Sequence, residues 1–219
     1  GPTLRKLVTA ARFNPSLPYL SFLCINFVAP VVQEAASWFL DAVFLNYNSS
    51  YLERMLEQML DAGDSREVTR FLCAVDVRID GFRVERAPEW RGQRVFVRHE
   101  VGGKAYELRL SEESAGTQKL MGLAAYLMTA LERGGTVVVD ELDAKLHSKL
   151  LRYVILLFKD PEVNKSGAQL IFTSQDVSTM RNDVFRRDEI WFAARGEGEA
   201  SQLWSLADIH EANGNLVSK

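Results

Sequence analysis

The sequence predicts an α/β protein whose carboxyl-terminal half contains a mainly parallel sheet. The first observation is the continuous apolar run TVVV at 136–139, which is typical of a parallel strand covered on both faces. The second is the segment 117–132, which carries an apolar stripe at helical spacing. The third is the alternation of helix and strand patterns after residue 111, which favours strand–helix–strand units.

Composition excludes several classes of protein. The chain has 219 residues, of which 47% are hydrophobic and 25% charged, as expected for an ordinary folded protein of one large or two small domains. A net charge of −3 argues against a generally basic surface that coats nucleic acid. No segment has the pattern of a secretory signal or a membrane span. Cys24 and Cys73 form no CxxC pair, and the histidines have no zinc spacing, so we expect a cytoplasmic protein.

The amino-terminal part is expected to be helical and then to change to strands. Residues 3–75 carry helical patterns at 31–44, 50–63 and 66–76. Three segments then alternate apolar and polar residues, with Gly102-Gly103 between the last two, which predicts antiparallel strands and a hairpin. These strands are expected at 77–86, 94–101 and 104–111. The predicted regions are therefore 1–75 (helical), 76–110 (antiparallel strands) and 111–219 (α/β).

Within the α/β region, each element follows from its own pattern. The stripe of the long helix consists of Leu120, Leu123, Ala124, Leu127, Met128 and Leu131. Residues 148–160 form a second helical pattern, and 168–174 read as another buried strand. The segments 188–195 and 201–206 are expected to complete the sheet.

Two adjacent acids end the central strand. In an open parallel sheet, ligands bind beyond the carboxyl ends of the strands, and TVVV delivers Asp140 and Glu141 to that edge. One acid is suited to hold Mg²⁺ through water, and the other to orient or deprotonate a water that attacks a phosphate. The alternative interpretation is a pair of solvated acids at a strand end.

The stretch ESAGTQ at 113–118 precedes the long helix. Ser114 is suited to cap the helix, and Gly116 would let a ligand approach the backbone, where the free N–H groups of the first turn attract anions. The alternative is an ordinary serine cap followed by a flexible glycine.

Further polar residues follow the two strands. Asp143 comes just after the acid pair, and Ser174, Gln175 and Asp176 follow the second strand. One of the latter side chains could sense a terminal phosphate, although a hydrogen-bonded turn explains them equally well. For His147 we favour a polar helix start over a ligand contact.

The order of these motifs resembles the nucleotide-binding domains of ABC-type ATPases. ESAGTQKL, VVDELDAKLH and IFTSQD match the SMC/RecF-like branch, and especially the prokaryotic AAA-type ATP-binding proteins related to the overcoming-lysogenization-defect nucleases. The match covers about residues 108–206. It implies the carboxyl-terminal lobe of a P-loop ATPase, and the amino-terminal helices resemble the lid inserted between the lobes of such proteins.

The resemblance implies roles for the motif at the helix start. Ser114, Ala115, Gly116 and Thr117 stand at the ABC signature, which contacts the γ-phosphate of ATP bound by a partner subunit. The implied assembly is a homodimer with ATP between the subunits.

The resemblance also implies roles at the strand ends. Asp140 stands at the Walker B acid near Mg²⁺, and Glu141 at the catalytic base. Asp143 occupies the aspartate position of the D-loop at the dimer interface, and Gln175 occupies the switch position.

Two departures from the family pattern matter. The switch residue is usually His, and Gln175 can donate a hydrogen bond to phosphate but cannot carry a proton or positive charge. The phosphate-binding loop GxxxxGK[ST] is absent, because the pair Gly103-Lys104 lacks the first glycine and precedes Ala105. The start at Gly1-Pro2, without Met, is typical of a cleaved purification tag, so we expect missing sequence upstream.

The leading hypothesis is therefore half of an ATP site. The parent protein would be an ATPase that uses ATP and Mg²⁺, dimerises, and switches an effector such as a nuclease or toxin. The resemblance implies that this switch serves in defence against phage. The isolated chain would be inactive, and no membrane association is expected. Binding of nucleic acid stays open, because the basic cluster of Arg181, Arg186 and Arg187 is equally explained as a solvated face. One alternative is a non-catalytic assembly module, and a weaker one is a nuclease that uses Asp140 and Glu141 directly on metal.

Overall fold

The computed structural model describes residues 18–26, 29–46, 56–58, 60, 65–74, 79–86 and 93–209. Contacts divide the chain into two units, Gly1–Val43 and Phe44–Lys219. In these described ranges, no helix is both long and apolar enough to cross a bilayer. The predicted boundaries at residues 75 and 110 stay predictions.

Two helices form the described part of the first unit. Helix α1 spans Tyr19–Asn26, and helix α2 spans Pro30–Asp41. Pro30 begins α2 because its missing N–H would have no partner in the first turn of a helix. Helix α2 ends where the N–H of Ala42 donates to the carbonyl of Trp38. The helix predicted at 31–44 therefore runs too far, because Val43–Leu45 forms a strand, β1.

A three-stranded sheet of order β1-β5-β6 forms the centre of the α/β region. Strand β5 spans Thr136–Val139 and pairs in parallel with β6, Gln169–Phe172. Helix α4 (Ala115–Arg133) precedes β5, and helix α5 (Ser148–Lys159) connects β5 to β6. The fold class α/β is confirmed.

Helix α4 is the central element of the core. The predicted stripe is buried at Leu120, Leu123, Ala124, Leu127 and Leu131. Helix α3, Ser65–Ala74, packs against α4. Helix α3 also brings the ring of Phe71 to 5.9 Å from the ring of Tyr153 on α5. Helix α4 contacts both α3 and strand β5, and its buried residues extend beyond a single stripe.

The predicted antiparallel strands are present. They are β2 (Gly81–Arg86), β3 (Gln93–Val101) and β4 (Lys104–Arg109), in the order β2-β3-β4. Gly102 and Gly103 connect β3 to β4 with φ of 59° and 74°, a conformation that glycine adopts without steric cost.

Two predictions about the sheet are wrong. The last strands, β7 (Trp191–Arg195) and β8 (Ser201–Ser205), do not complete the central sheet but form a separate antiparallel pair. Strand β6 was expected to be buried, yet Ile171 is 49% exposed. The exposed Gln169 and Ile171 alternate with the half-buried Leu170 and Phe172, so the described residues leave one face of β6 uncovered.

Of the helix predicted at 50–63, the structure describes residues 56–58 and 60, which are helical. The other residues of that segment lie outside the described ranges. Leu56 is fully buried, as expected for the apolar side of such a helix.

The burial of α4 generates a stability prediction. Leu127→Ala should lower the free energy of unfolding by about 2–5 kcal/mol, because Leu127 is 0% exposed and its loss leaves a cavity. Glu132→Ala, on the exposed side of the same helix, should change it by less than about 0.5 kcal/mol. Urea unfolding of both variants measures the difference. Equal stabilities would contradict the central position of α4.

Candidate functional site

The two acids that end β5 lie at an exposed edge of the sheet. Asp140 continues the sheet, because its N–H donates to the carbonyl of Leu45 at 2.8 Å. The side chains of Asp140 and Glu141 are both exposed. The acid pair therefore lies where a ligand at the carboxyl ends of the strands would reach it.

Thr173, the first residue after β6, connects the ends of the two parallel strands. Its hydroxyl donates to Oδ1 of Asp140 at 2.6 Å and accepts from the N–H of Glu141 at 2.8 Å. Its backbone N–H donates to Val139 at 3.0 Å, and its carbonyl accepts from Leu142 at 3.0 Å. Four hydrogen bonds of one residue thus hold the acid pair against β6. The sequence reasoning missed Thr173, although it lies in the same FTSQD stretch as the predicted switch residue.

The acids open a tight turn, residues 140–145, which we call the acid turn. Glu141 has φ of 52° and Lys145 has φ of 60°, the left-handed region that non-glycine residues seldom occupy. Such conformations persist only where surrounding contacts hold them, and they cluster at functional sites. The backbone of the acid turn is thus under constraint at both of these residues.

Lys119 of α4 supplies a second set of contacts to the acid turn. This lysine is only 6% exposed, which is unusual for an ammonium group. Its Nζ donates to the carbonyls of Glu141 at 2.8 Å, Leu142 at 3.2 Å and Ala144 at 2.8 Å. Burial lowers the pKa of Lys119 from its usual value, and the carboxylates of Asp143 and Glu141 oppose that shift. Sequence reasoning missed Lys119, since a lysine inside an amphipathic helix gives no local sign of burial.

The predicted helix start has the expected cap. Ser114 is the N-cap of α4: its Oγ accepts from the N–H of Thr117 at 3.1 Å and lies 2.7 Å from the Thr117 hydroxyl. The side chains of Ser114 and Ala115 are exposed. The surface at this helix start is therefore accessible to a ligand or to another subunit.

Gly116 explains how the helix start meets the acid turn. A Cβ built on Gly116 would lie 2.8 Å from the carbonyl oxygen of Lys145. The glycine is thus required by a close approach within this chain, a reason that the sequence reasoning did not consider. The two predicted motifs come together at this contact.

Asp143 and Gln175 are also in contact. Oδ2 of Asp143 accepts from the backbone N–H of Gln175 at 3.2 Å. Oδ1 of Asp143 is buried and lacks a hydrogen-bond partner among the described residues. The Gln175 side chain is exposed. The predicted D-loop aspartate and switch residue are therefore joined through a carboxylate and a backbone amide.

The neighbouring polar residues form local turns. Ser174 Oγ accepts from the N–H of Asp176 at 3.0 Å, and Oδ1 of Asp176 accepts from the N–H of Ser178 at 2.7 Å. The hydrogen bond from the Ser178 side chain lowers the pKa of Asp176. For Ser174 and Asp176 the hydrogen-bonded turn is confirmed. His147 likewise caps α5, because its Nδ1 accepts from the N–H of Lys149 at 3.2 Å.

The three arginines of the basic cluster have protein partners. Arg181 contacts Asp183 at 2.9 Å, and Arg186 contacts Asp188 at 2.9 Å. Arg187 donates to the carbonyls of Leu206 and Ile209 at 2.6 and 2.8 Å. These pairings fit the interpretation of a solvated protein surface.

Asp140 is suited to hold a magnesium ion that keeps most of its water ligands. Its Oδ1 is oriented by Thr173, and the side chain is exposed. In the parts of the chain that the structure describes, no three His, Cys, Asp or Glu side chains converge to hold a metal. Mg²⁺ keeps most of its waters and commonly binds one or two carboxylates together with substrate phosphates, so a single acid fits this ion.

The open edge of β6 borders a groove of about 750 Å³. Gln169 and Thr173 direct their N–H groups to β5 and its end, so the backbone of Leu170 and Phe172 between them faces the other way. No described strand pairs with β6 on that side. Phe158 of α5, Trp191 of β7 and Leu203 of β8 line the groove beside them. A groove lined by both apolar and polar side chains thus lies next to the strand that leads to Thr173.

The chain is similar to a known protein family. A family model described as "AAA domain, putative AbiEii toxin, Type IV TA system" matches residues 22–181, which is more than half of the chain. No curated protein matches the chain.

The contact at Gly116 generates a prediction. Gly116→Ala should lower the free energy of unfolding by about 1–3 kcal/mol, because the new methyl would overlap the Lys145 carbonyl. Gly135→Ala is the matched control, since a Cβ there meets only Ala130 at 3.8 and 4.0 Å, and its effect should stay below about 1 kcal/mol. Urea unfolding measures both, and a Gly116 variant as stable as its control would refute the contact.

Proposed function

The chain belongs to a family of AAA domains, which are ATPase-type proteins, and we propose that it forms one half of an ATP-hydrolysing site. The observation that carries this proposal is the acid turn. It presents Asp140 and Glu141 to solvent at the strand end, and it touches the glycine-bearing start of α4. The family implies use of a nucleotide, usually with Mg²⁺, and the acid turn is the place in this chain that suits both.

The two acids have different roles in this proposal. Asp140 binds Mg²⁺ through water, supported by its exposed carboxylate and by the orienting hydroxyl of Thr173. The ion neutralises charge on the phosphates when it is bound. Glu141 is the general base: its exposed carboxylate orients the attacking water and accepts its proton.

The start of α4 is proposed to be an ABC-type signature. Ser114, Ala115, Gly116 and Thr117 would contact the γ-phosphate of ATP bound by a second copy of the protein, with Asp143 at the interface between the copies. The exposed Ser114 and Ala115 support this arrangement. The close approach of Gly116 to Lys145 also supports it, because the proposed signature then lies directly against the acid turn.

The phosphate-binding loop is proposed to come from sequence outside residues 1–219. GxxxxGK[ST] does not occur in the chain, although backbone amides and a lysine of such a loop supply most phosphate contacts in P-loop ATPases. The open edge of β6 and the groove beside it support completion by a further segment. Gln175, next to that edge, would contact the terminal phosphate through its amide.

The wider role is proposed from the motif resemblance alone. The complete protein would be an ABC/RecF-like ATPase, related to the overcoming-lysogenization-defect proteins and located in the cytoplasm. Its ATP-driven dimerisation would switch an effector nuclease or toxin, in defence against phage or foreign DNA.

The absence of the phosphate loop sequence predicts weak nucleotide binding. Isothermal titration of residues 1–219 with ATP and Mg²⁺ should give no binding tighter than about 1 mM, or about 4 kcal/mol, because the loop that supplies most phosphate contacts is missing. Addition of the segment that carries the phosphate loop should restore binding. Micromolar affinity of the isolated chain would contradict the half-site, and no binding after completion would favour a non-catalytic assembly module.

The role of Glu141 predicts a separation of hydrolysis from binding. In the complete ATPase, Glu141→Gln should lower turnover by at least about 100-fold, because the amide cannot accept the proton of the attacking water. ATP-dependent dimerisation should persist, since the acid does not hold the nucleotide. Glu132→Gln, at the exposed end of α4, is the control and should hydrolyse ATP normally. Phosphate release and light scattering measure the two properties. Wild-type turnover of the Glu141 variant would remove its assigned role.

A further inference from the structure

Lys119 is buried where the packing of α4 does not require a charge. Its helical neighbours Leu120, Met121, Leu123 and Ala124 are apolar and buried. Burying an ammonium group is unfavourable unless its donors are satisfied, whereas an apolar side chain of similar length would avoid that cost. The contacts of the ammonium group must therefore account for its position.

Those contacts converge on one short segment. The Lys119 ammonium donates to the carbonyls of Glu141, Leu142 and Ala144, and an ammonium has three donors. The carbonyl of Glu141 also accepts from the N–H of Ala144 at 3.0 Å, and the ammonium adds one donor group that this carbonyl shares with the carbonyls of Leu142 and Ala144. The lysine thus acts on the backbone of the acid turn.

Glu141 is held from both sides. Its N–H donates to the hydroxyl of Thr173 at 2.8 Å, and its carbonyl accepts from Lys119 at 2.8 Å. Rotation of Glu141 from φ of 52° to a more common conformation would break at least one of these bonds. The direction of the Glu141 carboxylate therefore depends on Thr173 at the end of β6 and on Lys119 in α4.

We propose that Lys119 is a positioning residue that fixes the Glu141 carboxylate and links it to the helix start at Ser114. The proposal rests on the proposed function, because it assigns the positioning to that same site. Lys119 lies in the second turn of α4, whose first turn contains Gly116 against Lys145. The helix thus touches both ends of the acid turn, at Glu141 and at Lys145. A displacement of the helix start, such as that caused by nucleotide or a partner subunit, would move Glu141.

The first experiment measures the rate of amide hydrogen exchange in the acid turn of residues 1–219, without nucleotide. Lys119→Met keeps the side-chain length and removes the donors, so the N–H groups of Leu142 and Ala144 should exchange with solvent at least about 10-fold faster. In the wild type, the N–H of Leu142 donates to the carbonyl of Thr173, and the N–H of Ala144 donates to the carbonyl of Glu141. The N–H groups of β5 should exchange as in the wild type. The matched control is Lys149→Met, in the exposed first turn of α5.

Each outcome of the exchange experiment either supports or overturns the proposal. Faster exchange confined to the acid turn supports the proposal, and unchanged exchange there overturns it. If Lys119→Met also loosens β5, Lys119→Gln replaces it, because the shorter amide retains donors but lacks the charge. The same two N–H groups should then exchange faster than in the wild type, and equality with the wild type would overturn the proposal.

The second experiment uses the complete ATPase and tests the consequence for hydrolysis. Lys119→Met should lower kcat by about 100-fold with little change in the KM for ATP, as a small displacement of a catalytic group does. Lys149→Met should leave both constants unchanged. Unchanged kcat with a loosened acid turn would refute the positioning role. If the wild-type complete protein hydrolyses no ATP, the proposed function fails, while the exchange experiment still decides whether Lys119 fixes the turn.

Discussion

The conformation of the acid turn depends on hydrogen bonds from two side chains that lie outside it. Thr173 bonds to the amide of Glu141 and to the carboxylate of Asp140, and Lys119 bonds to three carbonyls of the same turn. Without these partners, a non-glycine residue at φ of 52° would relax to a common conformation. The acids are therefore oriented by the packed strand end and by the core helix, in addition to the hydrogen bond within the turn from the N–H of Ala144 to the carbonyl of Glu141.

The same dependence explains why two distant sequence motifs act on one place. The helix start approaches the acid turn so closely that Gly116 has no room for a side chain beside the Lys145 carbonyl. Lys119 lies one helical turn further along α4 and donates to the carbonyl of Glu141, near the other end of the acid turn. Close-packed interiors transmit displacement with little loss, so the helix and the turn are expected to move as one body. Contact through the backbone makes this link insensitive to the identity of most side chains in the turn.

Local patterns were sufficient to predict some features and not others. The α/β class follows from apolar periodicity, as do helix α4 and strand β5. The apolar residues that form the pattern in these two elements are largely buried in the structure. Strand β6 has an equally apolar sequence, yet Ile171 is exposed. No pattern within the strand indicates whether another element covers each of its faces. The place of β7 and β8 in a separate sheet depends on pairing between strands, which periodicity does not encode.

The candidate site divides in the same way. The acids and the serine cap were recognisable because adjacent residues carry their chemistry. Lys119 and Thr173 were not, since a lysine in a helix and a threonine after a strand are ordinary until the tertiary contacts exist. The assigned roles in ATP hydrolysis stay proposals. Their geometric setting, an exposed acid pair on a fixed turn, is a property of the described structure.

Electrostatics gives a physical reason for a site divided between segments. Residues 140–145 and 173–176 contain four carboxylates and one lysine, so the strand ends by themselves attract cations and repel a triphosphate. The Lys119 ammonium does not reverse this, because it is buried behind the turn and bonded to carbonyls. In the proposed half-site, a magnesium ion, backbone amides and a further cation would therefore have to be added before a nucleotide could bind. The acids would then act on ATP only after the rest of the proposed site had assembled, so hydrolysis would be conditional on assembly.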